Sequence, residues 1–108
     1  MFSGGAISAG NCVIVKPSEI ASATSNVIAT LLPRYLDKEC FQVVEGGVQE
    51  TIDLLKEKFD YIFFTGSGTI GQKVREAANK HLTPVTLELG GKCPVYVDTT
   101  ADMDIAAR

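Results

Sequence analysis

Short apolar runs of strand length alternate along this chain with segments whose apolar residues recur at helical spacing, and few architectures accommodate that order. Cys12-Val13-Ile14-Val15 is a continuous apolar run stopped by Lys16-Pro17, the pattern of a strand buried on both faces. Val27, Ile28, Leu31, Leu32, Tyr35 and Leu36 then share a helical face. Pro33 should kink or shorten that helix, because proline lacks an amide and crowds residue 29. Phe41 to Val44 is strand-like again, Glu45-Gly46-Gly47 a turn, and Val48, Ile52, Leu55 and Phe59 a second helical face. Tyr61 to Thr65, Pro84 to Leu89 and Pro94 to Val97 are the remaining strand candidates. Ile70, Val74, Ala77 and Ala78 mark a helix running to about Lys80, and Asp102 to Arg108 begins another. Met1 to Gly10 reads as the last turns of a helix closed at Gly10-Asn11, since glycine is favoured just past a helix end. The order predicts an α/β fold with an open, mostly parallel sheet, helices on both faces and right-handed crossovers, incomplete at both ends.

Composition narrows the function. At 108 residues the chain has the size of one domain, and its net charge of −3 comes from 13 acids against 10 lysines and arginines. That balance, with no basic stripe, argues against a nucleic-acid partner. The first ten residues have no cationic lead and are too short to span a bilayer, so neither a signal peptide nor a membrane segment is read here. Cys12, Cys40 and Cys93 are odd in number and lack metal-ligand spacing, which points to a reducing compartment, taken as cytoplasmic, and argues against a disulfide framework and against a zinc or other metal site.

In parallel α/β sheets ligands bind beyond the carboxyl ends of the strands, so the residues after each apolar run are the informative ones. Gly66-Ser67-Gly68-Thr69-Ile70-Gly71 matches G-x-G-x-x-G between a strand and a helix, where free amides attract a phosphate; the same pattern also serves tight packing. Lys16-Pro17-Ser18-Glu19 sets a cation and an acid three residues apart, suited either to ribose hydroxyls or a 2′-phosphate, or to capping the next helix. Gly46-Gly47 is a turn or a clearing for an adenine ring. Glu88 stands before Gly90-Gly91, flanked by Leu87 and Leu89, whose apolar surface would raise its pKa toward that of a general base. By count from the glycine motif Glu88 also fits a ribose acid, and an ordinary solvated strand end fits it too.

Together these sets resemble the coenzyme-binding domain of aldehyde dehydrogenases. The resemblance is carried by Gly10-Asn11 leading into Lys16-Pro17-Ser18-Glu19, by Phe64-Thr65-Gly66-Ser67, and by Leu87-Glu88-Leu89-Gly90-Gly91-Lys92. Tyr35-Leu36-Asp37, Glu45-Gly46-Gly47-Val48 and Lys80-His81-Leu82-Thr83-Pro84-Val85-Thr86 resemble the class 3 branch, which includes fatty and aromatic aldehyde dehydrogenases. The resemblance implies a Rossmann-like domain spanning 1–108 and an oxidoreductase that converts an aldehyde to a carboxylic acid with NAD or NADP. It implies Glu88 as the general base that activates water, Lys16 and Glu19 on the adenosine ribose, Gly66 to Gly71 along the phosphates, and Leu89 and Gly90 near the nicotinamide. Gly68 stands where the family commonly has Thr or Ser, so its match to the middle glycine is partly accidental.

The same resemblance implies absences. The family's nucleophilic cysteine lies beyond Arg108 and its oxyanion-binding asparagine before Met1, so the chain is expected to be a fragment without the catalytic and oligomerisation domains, inactive alone. The full-length protein is expected to be a homodimer. Cys93 takes a position that is usually Ser and has no base beside it to make it a nucleophile. Cys12 is expected in the core, Cys40 on the surface or in packing, and His81, the only histidine, in a buried or capping role. The alternative to the enzyme reading is a non-catalytic nucleotide-binding or assembly module.

Overall fold

A computed structural model describes residues 2–107 and divides into two compact units, Met1–Phe59 and Asp60–Arg108. Met1 and Arg108, at the outer ends of the two terminal helices the sequence predicts, lie outside the described residues.

The first unit opens with helix α1 (Phe2–Ser8). Gly10, at φ +80°, ends it in a Schellman closure: the Gly10 amide donates to the Ile7 carbonyl at 2.9 Å and the Asn11 amide to that of Ala6 at 3.1 Å. Strands β1 (Val13–Val15) and β2 (Phe41–Val43) pair in parallel with Val13 opposite Phe41 and Val15 opposite Val43. A 3-10 turn (Glu19–Ala21) and helix α2 (Ser22–Tyr35) cross between them, and α2 packs on β2. The helix runs past Pro33 to Tyr35, two residues on, so the lost amide falls in its final turn. Its inner stripe is narrower than the sequence suggests. Ser25 is buried and Ile28 and Leu32 are half-buried, while Val27, Leu31 and Tyr35 are exposed. β1 is likewise not buried on both faces: Val13 and Val15 are half-buried but Ile14 is 45% exposed, so its residues alternate in cover. Helix α3 (Val48–Leu54) stops before Leu55 and Phe59, where the Lys56 and Glu57 amides turn back onto the carbonyls of Asp53 and Leu54.

In the second unit, β3 (Ile62–Thr65) and β4 (Val85–Glu88) pair in parallel from Ile62 opposite Val85 to Thr65 opposite Glu88. The crossover, helix α4 (Gly68–Asn79), packs on both strands. Val74 and Ala78 are its buried apolar residues, 2% and 3% exposed. Gly71 brings the helix close, since a Cβ there would stand 2.9 Å from Leu89 Cδ2 and 3.6 Å from Leu87 Cδ1. α4 closes as α1 does, with the Thr83 amide on the Ala78 carbonyl at 3.1 Å and the Leu82 amide on that of Asn79 at 3.2 Å, but here Leu82 takes the left-handed position at φ +55°. His81 is exposed in this closing turn, so of the buried or capping roles expected for it the buried one does not hold.

Pro94 to Val97 does not form the fifth strand. It pairs with no strand among the described residues, and Val95 and Tyr96 are 84% and 87% exposed, so nothing fixes the run as extended ladder. Short helix α5 (Met103–Ala106) is capped by the Asp102 carboxylate, which accepts from the Asp104 and Ile105 amides at 3.0 and 3.2 Å. The architecture is α/β with two two-stranded parallel sheets, β1-β2 and β3-β4. No described helix is long and apolar enough to cross a membrane.

Candidate functional site

Parallel pairing puts the residues that follow neighbouring strands on the same edge, and in the first unit this gathers Lys16, Glu19 and Gly46. The Lys16 ammonium donates to the Gly46 carbonyl at 2.8 Å, to the Pro17 carbonyl at 3.4 Å and to Glu19 Oε2 at 3.5 Å. Its side chain is only 15% exposed, whereas that of Glu19 is 52% exposed and open to a ligand. Hydrogen bonding to its own backbone amide, and then the Lys16 charge, hold the Glu19 carboxyl below its ordinary range. Ser18 caps the 3-10 turn, accepting from the Ile20 amide at 3.3 Å, so the motif contains both the cap and the charged pair the sequence leaves open.

Gly46 makes this cluster possible. Its φ of +143° belongs to a region side chains rarely adopt, and a Cβ there would collide with the Glu50 side chain. The Gly47 amide donates to Glu50 Oε2 at 2.7 Å, which starts α3 with a charged cap. One residue before Gly46 in the same turn, Glu45 Oε1 accepts from the buried Ser25 hydroxyl at 2.8 Å and ties the turn after β2 to α2. Neither the Lys16–Gly46 nor the Ser25–Glu45 contact is signalled locally in the sequence, as the partners stand 30 and 20 residues apart.

The second unit holds the other set. Thr65 is opposite Glu88, and the Gly66 amide donates to the Glu88 carbonyl at 3.0 Å, so the glycine turn and the acid leave the sheet side by side. Ser67 caps α4 through the Ile70 amide at 3.4 Å. The amides of Gly68 and Thr69 begin the helix with no intrahelical acceptor, and a Cβ at Gly68 would meet nothing within 4 Å. That open, amide-lined turn suits a phosphate oxygen. Gly71 differs: it is buried against Leu87 and Leu89 and serves helix-to-strand packing. The expected apolar flank of Glu88 is therefore directed to α4. Leu87 and Leu89 lie against Gly71, while Glu88 itself is exposed, as are Gly90 and Gly91. Below it on the strand, the Tyr61 and Thr86 hydroxyls hydrogen-bond across β3 and β4.

Of the cysteines, Cys12 is placed otherwise than the sequence suggests. Cys12 is exposed rather than in the core, because it precedes β1 at the strand's uncovered amino end, and Cys40 is half-buried. Cys93 is exposed at φ +40°. No group of three metal-ligating side chains occurs among the described residues.

Parallel strands joined through helices, with charged and glycine-rich turns at their carboxyl ends, define an α/β domain of the Rossmann-like class. Residues 3–108 match the aldehyde dehydrogenase family, and the chain belongs to it. It is 63% identical to mouse aldehyde dehydrogenase family 3 member B1 over 104 residues, covering 96% of this chain and 22% of that protein. A substrate-bound structure of Staphylococcus aureus AldH is 48% identical, with a TM-score of 0.82 over 95% of this chain and 22% of the other. A Mycobacterium tuberculosis aldehyde dehydrogenase complexed with NAD+ is 35% identical, with a TM-score of 0.70 over 78% of this chain and 18% of the other. The chain thus spans about a fifth of the length of the proteins it matches.

Proposed function

We propose that residues 1–108 are most of the coenzyme-binding domain of an aldehyde dehydrogenase that oxidises an aldehyde to a carboxylic acid with NAD or NADP. The observation that carries this reading is the Lys16–Glu19 pair, drawn together beside the Gly46 carbonyl at the carboxyl ends of β1 and β2. Lys16 is fixed as a donor and the half-exposed Glu19 carboxylate is free to accept from a ribose hydroxyl. Gly66, Ser67, Gly68, Thr69 and Ile70 line the phosphates with amides and little bulk, with Gly71 holding their helix in place. Leu89 and Gly90 lie beside the nicotinamide. When bound, that ring accepts the hydride lost by the substrate.

Glu88 is the general base. Its exposed carboxylate takes a proton from the water that hydrolyses the acyl-enzyme, and its position opposite Thr65 fixes the strand end that presents it. No cysteine here is suited to be the nucleophile. Cys12 and Cys40 sit at the amino ends of their strands, the edge away from Lys16 and Gly46, and Cys93 is in an exposed turn. In this reading the whole protein supplies the nucleophile, works as a homodimer and resides in the cytoplasm, and the 108-residue chain alone does not turn over.

Two measurements test this. Calorimetry of the chain with NAD should show weak binding that is lost in the Lys16→Ala, Glu19→Ala double variant and nearly unchanged in Glu88→Ala. Loss in Glu88→Ala instead would assign that acid to the ribose. In the whole protein, Glu88→Gln should lower kcat by about 10²–10⁴-fold with cofactor affinity retained.

A further inference from the structure

Cys12 and Cys40 have no part in the reaction proposed above, yet the fold sets them side by side. They immediately precede Val13 and Phe41, the first partners in the β1-β2 ladder, and the Val13 amide donates to the Cys40 carbonyl at 2.8 Å, carrying the pairing back to this step. Neighbouring parallel strands lie about 4.8 Å apart, within the roughly 4.4–6.8 Å Cα separation that a disulfide spans. In-register residues also project from the same face of the sheet. The thiols sense each other: hydrogen bonding with the Cys12 thiol, and then its charge, push the Cys40 thiol above its ordinary value. Both are free, with Cys12 exposed to an incoming oxidant and Cys40 half-buried behind it.

We propose that Cys12 and Cys40 are a peroxide-sensitive dithiol that closes reversibly into a disulfide across β1 and β2. The exposed Cys12 sulfur attacks one oxygen of hydrogen peroxide. The O–O bond breaks, one water leaves and Cys12 becomes a sulfenic acid. Cys40 sulfur then attacks Cys12 sulfur, the S–O bond breaks, a second water leaves and the S–S bond forms. Two thiols have lost two hydrogens and two electrons, and one peroxide has been reduced to two waters. Cys40, half-buried and with its thiol held above its ordinary value, is the less accessible first nucleophile and so the resolving partner. The bridge closes the crossover through α2 into a loop at the strand edge remote from Lys16 and Gly46. The inference does not depend on the cofactor reading.

The test treats the reduced 108-residue chain with hydrogen peroxide, blocks remaining thiols with N-ethylmaleimide and digests with trypsin without reductant. Trypsin spares Lys16-Pro17, so the expected product is peptide 1–34 linked to peptide 39–56, with maleimide on Cys93 and both free thiols recovered by dithiothreitol. The 12–40 link should exceed any link to Cys93 by about tenfold or more, because the fold supplies the proximity. Peroxide treatment in denaturant should cut that preference several-fold. Cys93→Ser should keep the link and Cys12→Ser abolish it. Maleimide on all three cysteines, equal linking to Cys93, or an undiminished preference in denaturant would each overturn the proposal, and all three are read on the unmutated chain.

Discussion

The two units hold their strand ends by different means. In the first, no apolar side chain among the described residues is fully buried, yet the turns after β1 and β2 are tied by Lys16 to Gly46, by Ser25 to Glu45 and by Gly47 to Glu50. In the second, α4 is seated through Val74 and Ala78, while the turn after β4 is exposed from Glu88 through Lys92. Polar ties fix a binding group in place before a ligand arrives. An apolar seat fixes the backbone beneath and leaves the rim free to move. Under the proposed function, a charged pair meant for a ribose would gain from the first arrangement, and a base that must reach a water would tolerate the second.

The largest expected effect comes from weakening the apolar seat. Val74→Ala removes two methyl-sized groups from a position 2% exposed and should cost about 2.5 kcal/mol, transfer and cavity combined. Val15→Ala, at a half-buried position in β1, should cost about 1 kcal/mol. Urea unfolding of both variants measures the difference. Equal losses would mean that the two units are held alike.

Gly46→Ala attacks the polar ties instead. It forces a side chain into φ +143° and against Glu50, so it should cost about 2 kcal/mol and disturb the Lys16 anchor. Weakened NAD binding by calorimetry, with the helix signal of α4 kept, would place the damage in the first unit alone.

How much of this could be read in advance follows the same division. α4, β3 and β4 were legible because a helix and two strands within one crossover express their periodicities directly, and Gly10 announced its own helix end. The turn contacts were not, since Lys16 meets Gly46 only after the β1-β2 register is set. Pro94 to Val97 failed for a related reason: an apolar run becomes a strand only where a neighbour takes its hydrogen bonds. Leu87 and Leu89 flank Glu88 in sequence, but the helix facing them, through Gly71, decides which surface they cover. The Glu88 motif itself needed no such information, being contiguous.

A smaller and opposite effect is expected where the helix ends differ. α1 closes on Gly10, but α4 closes on Leu82, a γ-branched residue at φ +55° whose side chain is 89% exposed. Leu82→Gly relieves the left-handed strain and sacrifices little packing, so it should stabilise the second unit by about 1 kcal/mol. A raised urea midpoint would confirm it; a lowered one would reveal packing that the exposure does not.

The smallest effect isolates the charge within the polar ties. The Glu19 carboxyl is held below its ordinary range first by its own amide and second by Lys16. A group depressed in the folded state adds stability that is complete above its unfolded pKa and disappears as pH falls through the folded one, so any contribution of Glu19 is lost only on the acid side. Its exposure makes that contribution slight. A carbon-detected titration of the Glu19 carboxyl should give a midpoint below the usual glutamate value, and Lys16→Met should move it only part of the way back, because the amide bond remains. Full return would make Lys16 the dominant partner, and the tie would then be mainly ionic and sensitive to salt. Partial return means that the backbone prepares the carboxylate and Lys16, anchored chiefly on the Gly46 carbonyl, is free to serve a ligand as well.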